Sequence, residues 1–399
     1  RGNKLKHSFH RGLMRSPASL HYEEVQDAID GNPNDRTGPL LDPVLKPLYA
    51  AYGALKLARA ERQPLDLDLP ERRIELAEDG KVKSVNFKDR LDAHRLIEEF
   101  MVLANVAAAE TLAAKKIPLL YRIHEEPSQE KLDALRETAA AAGYTLAKGQ
   151  VLQTAHLNRL LNDAAGSDDA ELINLSTLRS MTQAYYGPEH IGHFGLALRS
   201  YAHFTSPIRR YADLIVHRAL VTAHGWGKDG LTPEDMEMLD QTGAHISDTE
   251  RRSMTAERDT TDRYLASYLS ERVGSEFTGR ISGIARFGAF VKLDETGADG
   301  LLPMRALGRE YFHYDREAQT LMGSDTGRLI SIGQRVTVRL AEAVPVTGGI
   351  ALELLEIDDQ KVPQGRQSPA GRHPRRSATK AKRKKDKIKR KVARTRRSK

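Results

Sequence analysis

Two adjacent arginines beside a helix start are the residues of this chain best suited to chemistry on an anion. In the stretch 201–220, YAHFTSPIRRYADLIVHRAL, Thr205-Ser206-Pro207 reads as a cap followed by proline at the first helical position. The spacing predicts a helix from about Pro207, with Arg209 and Arg210 in its first turn. Cations there oppose the helix dipole by ~0.3–1 kcal/mol each, whereas a phosphate is favoured by the free backbone N–H groups. A local rule broken in this way points to function. The bland reading is a surface stripe, with Arg209 paired to Asp213 at i+4 and His217 one turn on, opposite a buried face of Ile208, Leu214, Ile215 and Ala219.

Carboxylates are the other chemical resource. Asp66 and Asp68 in PLDLDLPE, Asp168-Asp169, and Asp259 with Asp262 in RDTTDR occur as pairs. Two-metal phosphoryl chemistry needs several carboxylates converging within a few ångströms. A lone D-x-D is weak support for that, so Asp66 and Asp68 read as solvated strand or turn residues. Glu98 and Glu99, side by side on a long helix, read in the same way as a solvated face.

The elements that must position these groups are legible at low resolution. Residues 5–20 look like strand and turn, Tyr22 to Ile29 a short helix, and 31–35 a loop. An alanine-rich helix follows at 43–62, then a strand at 81–88. The strong helix from about Asp89 to Lys115 carries Leu91, Ile97, Met101, Ala104 and Ala108 at near-helical spacing. Residues 129–142, 150–164 and 174–184 continue the helical pattern, and a further helix spans about 249–270. Beyond it, residues 274–357 alternate in strand fashion, broken by glycine-bearing turns.

The segment 201–220 closely resembles the signature of the RNB-type 3′→5′ exoribonucleases, the ribonuclease II and ribonuclease R group. The resemblance extends through HRGLMRSPASLHYEEV near the start, DAHRLIEEFMVLANVAAAE at 92–110, LYRIHEEP at 120–127 and HIGHFGLAL at 190–198. It implies a processive, metal-dependent enzyme of RNA turnover that hydrolyses RNA to nucleoside 5′-monophosphates. By the same resemblance Arg209 is the catalytic arginine at the phosphate near the scissile bond, and Arg210 is its RNA-binding neighbour. Glu99 and Glu250 match acids along the RNA path, with Glu257 the alternative to Glu250; for Asp66 and Asp68 an auxiliary RNA contact is the minority alternative to the solvated reading.

Departures from the family are equally informative. Its metal-binding D-x-x-D-x-D-D run has no counterpart here, so the Mg²⁺ expected for the parent enzyme finds no ligands in this chain. Where a base-clamping aromatic is implied, Leu67 stands, an apolar shelf without a quadrupole. The chain opens on Arg1, inside what the resemblance implies is one folded domain. The expectation is therefore the C-terminal piece of a longer exoribonuclease, inactive alone; the alternative is a non-catalytic RNA-binding protein.

Residues 274–357 resemble the five-stranded OB-fold RNA-binding barrel repeated in ribosomal protein S1. Strict alternation puts Arg286, Phe290 and Lys292 on a wet face and Phe287, Ala289 and Val291 on the core face. The resemblance implies RNA contact by both Phe287 and Phe290, which a bulge at Gly288 would reconcile. Pro303 replaces the histidine of the usual G-L-V-H-I-S pattern, and PVTGG replaces a turn that carries Asp and Arg. An insertion at 308–330 holds Tyr311, Phe312 and Tyr314.

Charge is unevenly spread. From Lys361 to Lys399 there are 18 Lys/Arg against Asp386, a net of +17; the whole chain is +8, which leaves −9 for residues 1–360. A segment such as Lys382-Arg383-Lys384-Lys385 and its surroundings cannot bury enough apolar surface to fold, and attracts phosphates by counterion release. A solubilising tail or a localisation signal is the alternative. A long basic tail after the barrel is a ribonuclease R feature within the group. The chain has no cysteine, which excludes disulfides and Cys-based zinc sites. No apolar run of membrane-spanning length occurs.

The expected architecture is α+β in three parts: the C-terminal portion of an RNB catalytic domain (1–268), an OB-fold barrel (269–358) and a disordered Lys/Arg-rich tail (359–399). The expected partners are single-stranded RNA and, through the tail, the ribosome or structured RNA. The protein is expected to be a cytoplasmic monomer with no membrane association.

Overall fold

The structure is a computed structural model that describes residues 2–67, 72–87, 90–149, 151–167, 169–316 and 319–362. Lys382, Arg383, Lys384 and Lys385, like Asp68 and Asp168, lie outside the described residues. The body begins with α1 (Tyr22–Ile29), α2 (Gly38–Leu40), a π-helical turn at Leu41–Leu45 and α3 (Lys46–Arg62). A hairpin of β1 (Arg72–Leu76) and β2 (Val82–Phe87) leads into α4 (Asp92–Ala114). Next come β3 (Tyr121–Ile123), α5 (Gln129–Ala141), α6 (Thr154–Ala164), α7 (Ala170–Ser180) and β4 (Tyr185–Gly187), with β3 and β4 antiparallel. The body closes with α8 (Tyr211–His224), α9 (Pro233–Glu237) and the 32-residue α10 (Leu239–Ser270).

Two body cores hold this frame. One joins Ala108, Ala109 and Leu112 of α4 to Ile123 of β3 and to Ile215, Val216 and Ala219 of α8. The other packs Leu132 and Leu135 of α5 on Leu157, Leu160 and Leu161 of α6 and Ile173 of α7. Burying each leucine, isoleucine or valine among them contributes about 1.5–3 kcal/mol. Local signals agree with the elements: Ser128 caps α5 by accepting from the Lys131 N–H, and Thr232 and Asp235 form a capping box around Pro233.

The barrel comprises β5 (Glu276–Ala285), β6 (Gly288–Leu293), β7 (Asp299–Pro303), β11 (Arg335–Val344) and β12 (Gly349–Ile357). Pairing runs β11-β5-β6-β7-β12 and closes through β11 with β12, which leaves a five-stranded OB-like barrel with β13 (Gln360–Lys361) on its rim. The insertion forms its own small sheet of β8 (Phe312–Asp315), β9 (Thr320–Gly323) and β10 (Leu329–Ile330), and sends Phe312, Leu321 and Ile330 into the barrel core. Body and barrel share that core: Leu265, Ala266 and Leu269 of α10 are fully buried in it, with Ile74 and Val85 of the hairpin packed alongside.

Several expectations change. No strand forms among described residues 2–20, which run along the body as irregular chain. The last body helix starts at Leu239, ten residues before the expected point. The buried stripe of α4 is Leu96, Glu99, Val102, Asn105, Ala109 and Leu112, whereas Ile97 is exposed. Two polar residues sit inside that stripe, so its apolar periodicity misplaced the face.

Candidate functional site

The TSPIRR segment is a turn followed by a helix, with the arginines ahead of the first helical residue. The Ser206 carbonyl accepts from the N–H groups of Arg209 (3.3 Å) and Arg210 (3.1 Å), and α8 starts at Tyr211 with extended Arg210 as its N-cap. Pro207 starts the turn and not the helix, because Asp213 claims the backbone ahead of it. Asp213 is 0% exposed, and its Oδ1 accepts from the Ser206 N–H at 2.7 Å and from Arg210 Nη2 at 2.8 Å. An acid in the first turn also suits the dipole.

The pair is therefore Arg210–Asp213, and not the expected Arg209–Asp213. Arg209 is exposed and has no ion pair among the described residues. Ile208, expected to be buried, points fully into solvent next to half-exposed Tyr211 and Leu214. The turn displays one free cation on a fixed support.

That support reaches across the body. Asn105, buried on α4, accepts the Phe204 N–H at 2.8 Å and donates to the Tyr201 hydroxyl at 3.1 Å. His217 stacks on the Phe204 ring at 4.4 Å and donates from Nε2 to the Phe204 carbonyl at 2.8 Å. Tyr186 meets His203 at 2.9 Å, and Arg122 lies over the Tyr186 ring while pairing with Glu250 at 2.7 Å. Burial next to Arg210 and Arg122 pushes His203 down to about 2, and burial beside His124 takes His193 to about 3. Burial raises Tyr186 to about 12. These rings are neutral at ordinary pH and work as supports.

Glu99 is 5% exposed, not solvated. It pairs with Arg59 at 2.8 Å and Arg62 at 3.6 Å, at the edge of a cleft of about 710 Å³ also lined by Arg90, Glu98, Asn158 and Arg159. Asp66 shares that cleft, 3.6 Å from Arg59. Leu67 packs on the α5–α6–α7 core, so its apolar surface is largely spent within the body. Among the described residues no three His, Asp or Glu side chains are placed to hold a metal ion. The described side chains therefore offer no ligand set for a divalent ion.

The barrel supplies a second face. Phe287 lies in the turn between β5 and β6 and is 59% exposed, where alternation placed it in the core. Its ring meets Phe290 edge-on at 5.9 Å. Ala289 and Val291 are buried, as alternation from β6 requires. Gly288 is not a bulge: it pairs with both Ala285 and Pro303, and a Cβ there would lie 2.1 Å from the Leu302 carbonyl oxygen. The ladder irregularity falls on β5 instead, between Ile281 and Gly283, which leaves Ser282 without a ladder partner. Arg286, next to Phe287 in the turn, is exposed, and Lys292, two positions after Phe290 on β6, is half-buried.

Sequence reasoning missed Asn105, Arg122, Tyr186, His203 and the Arg59–Glu99 pairing. Asn105 and Arg122 lie within segments already singled out, so the signal was present in the motifs; polar residues on helical faces simply do not announce burial.

An OB-like barrel with a paired aromatic and basic face, set on a helical body that presents a free arginine, defines a class of nucleic-acid-handling protein. The RNB domain description matches residues 1–224 and the S1 RNA binding domain description residues 270–355, and the chain belongs to the RNB family of ribonuclease R-like exoribonucleases. Ribonuclease R of Escherichia coli (strain K12) is 38% identical over 354 residues, covering 86% of this chain and 43% of that protein. Ribonuclease R of Aquifex aeolicus (strain VF5) is 35% identical over 356 residues, covering 89% of this chain and 50% of its own length. The chain thus spans about half the length of the curated relatives it matches. The structure of Mycoplasma genitalium RNase R in complex with ribose methylated single-stranded RNA superposes with a TM-score of 0.78 at 29% identity, covering 84% of this chain and 52% of that one. The same enzyme in complex with double-stranded RNA gives 0.68 at 27% identity.

Proposed function

We propose that these 399 residues are the RNA-holding part of a ribonuclease R-type 3′→5′ exoribonuclease. The observation that carries this is Arg209: neighbouring arginines are neutralised by buried or half-buried acids, while it stands free on a turn fixed by Asn105, His217 and Asp213. It offsets the charge of an RNA phosphate, and Phe287 with Phe290 stacks bases without regard to sequence. Arg286, Lys292 and the basic tail add attraction to the strand, against a body whose net charge is negative. Glu99 and Glu250 orient arginines along the path instead of meeting RNA themselves.

Mg²⁺ is the expected metal of the family's chemistry, but the carboxylates described here do not supply its ligands. The reading is that this chain holds RNA without cutting it. Labelled single-stranded RNA incubated with the purified chain and Mg²⁺ is expected to bind and remain intact, and Arg209→Ala is expected to weaken binding and lower the salt slope by about 0.7. Release of nucleoside monophosphate would show that the chain cuts; an Arg209→Ala variant that binds as tightly as the parent would remove the phosphate role.

A further inference from the structure

The junction between body and barrel contains an arginine that the reading above leaves unused. Arg179, at the end of α7, donates from Nη2 to the Ser282 carbonyl at 2.6 Å. Ser282 is the residue left out of the β5–β6 ladder, so its carbonyl is free to accept from the body. The bulge thus re-aims one backbone group and draws a body side chain to the edge of the barrel sheet.

The place it reaches is the aromatic face. Gly283 is the partner of Phe290 across β5 and β6, and its missing side chain leaves a gap beside the ring. A Cβ built at Gly283 would lie 3.4 Å from Arg179 Nη2 and 3.5 Å from Phe290 Cδ2, so guanidinium and ring border the same gap. Among the described residues the Ser282 carbonyl is the hydrogen-bond partner of Arg179, an exposed residue whose guanidinium is partly desolvated against the barrel, which holds its pKa below the usual arginine value. The nearby carboxylate is Asp299, which accepts the Ser282 hydroxyl at 3.2 Å and stands opposite Lys292 in the sheet register. A cation faces it there, so Arg179 is not its sole counter-charge.

We propose that Arg179 belongs to the RNA-binding face, so that a nucleotide stacks its base on Phe290 while its phosphate meets the free edge of the Arg179 guanidinium. The strand then crosses from barrel to body over the end of α7. A planar, permanently charged fork suits a phosphate oxygen better than an ammonium does. Glu171 at the other end of α7 pairs with Arg280 at 3.3 Å, and Leu172 packs on Gly333, so the helix is docked independently of Arg179. This inference rests on the barrel face holding RNA, and the experiment separates the two.

Anisotropy titrations would use a labelled oligoadenylate longer than the ~4–16 nucleotides one OB fold occupies, at several salt concentrations, with the whole 399-residue chain. Arg179→Ala is expected to raise Kd about tenfold and reduce the salt slope by about 0.7, and its effect is expected to be non-additive with that of Phe290→Ala. Glu171→Ala, which loosens the docking without touching the ring, is expected to leave the slope unchanged. If Phe290→Ala weakens binding and Arg179→Ala does not, the Arg179 contact is wrong and the barrel reading survives. If Phe290→Ala also has no effect, the barrel reading fails and this inference with it. If Arg179→Ala and Glu171→Ala weaken binding equally at constant slope, Arg179 acts only by docking the barrel, which also overturns the contact.

Discussion

The support of the body's arginine turn and the aromatic face of the barrel are built in opposite ways. In the body, Arg210, Arg122 and Arg59 are each bound to an acid of the same chain, and the histidines among them are held neutral by burial. On the barrel, Phe287 and Arg286 face water. The contrast separates two jobs that RNA handling requires: holding one phosphate in a fixed place, which needs a rigid pre-paired scaffold, and gripping a passing strand, which needs surface. Substitutions of the paired residues that support the turn should therefore disturb folding before binding, and substitutions on the barrel face the reverse.

The largest test of that contrast is Asp213→Ala. The substitution strands the mostly buried Arg210 cation and the half-buried Ser206 N–H, at a cost of about 3–5 kcal/mol. Urea denaturation measures it directly. Asp213→Asn keeps an acceptor for Ser206 and should cost less. A loss below about 1 kcal/mol for the alanine variant would show that the turn is held by other contacts, and the picture of a rigid scaffold would go with it.

Acid is the next probe. The folded-state values of His203 and His193 lie below the ordinary 6.5, so the unfolded chain takes up protons first as pH falls. Stability is thus complete above about 6.5 and declines below it, by roughly 1 kcal/mol per pH unit for each histidine, towards the depressed values near 2 and 3. Denaturation midpoints between about pH 7 and about pH 5 should follow this slope, and His203→Gln should flatten it by about one proton. An unchanged slope in that variant would mean that His203 is not held neutral by the body.

What the sequence made legible follows from the kind of signal each feature emits. The first helix was placed to the residue, and the barrel was recognised as a run of alternating strands, because periodicity and turn residues act locally. The start of α8 was misplaced because its determinant, Asp213, works by reaching back seven residues, which no propensity encodes. Alternation put Phe287 in the core because it assumed that β6 began earlier, whereas Gly288 starts the strand and Phe287 belongs to the turn. Glu99 looked solvated because its partners, Arg59 and Arg62, lie some forty positions away on α3. Long-range pairing set the site, and local pattern set the frame.

The smallest expected change sharpens the contrast from the barrel side. Phe290→Ala removes one stacking surface, worth about 1–3 kcal/mol per base, and Phe287→Ala removes the ring that meets it edge-on. Both rings border solvent, so neither truncation opens a cavity like that left by a fully buried residue, and the denaturation midpoint should barely move. Each variant should therefore weaken binding of single-stranded RNA while melting like the parent, the opposite of Asp213→Ala. If Phe287→Ala destabilises the chain by as much as it weakens binding, the ring is packing the turn over Pro303 and Met304, whose N–H donates to the Phe287 carbonyl, and the division between scaffold and surface does not run along the domain boundary.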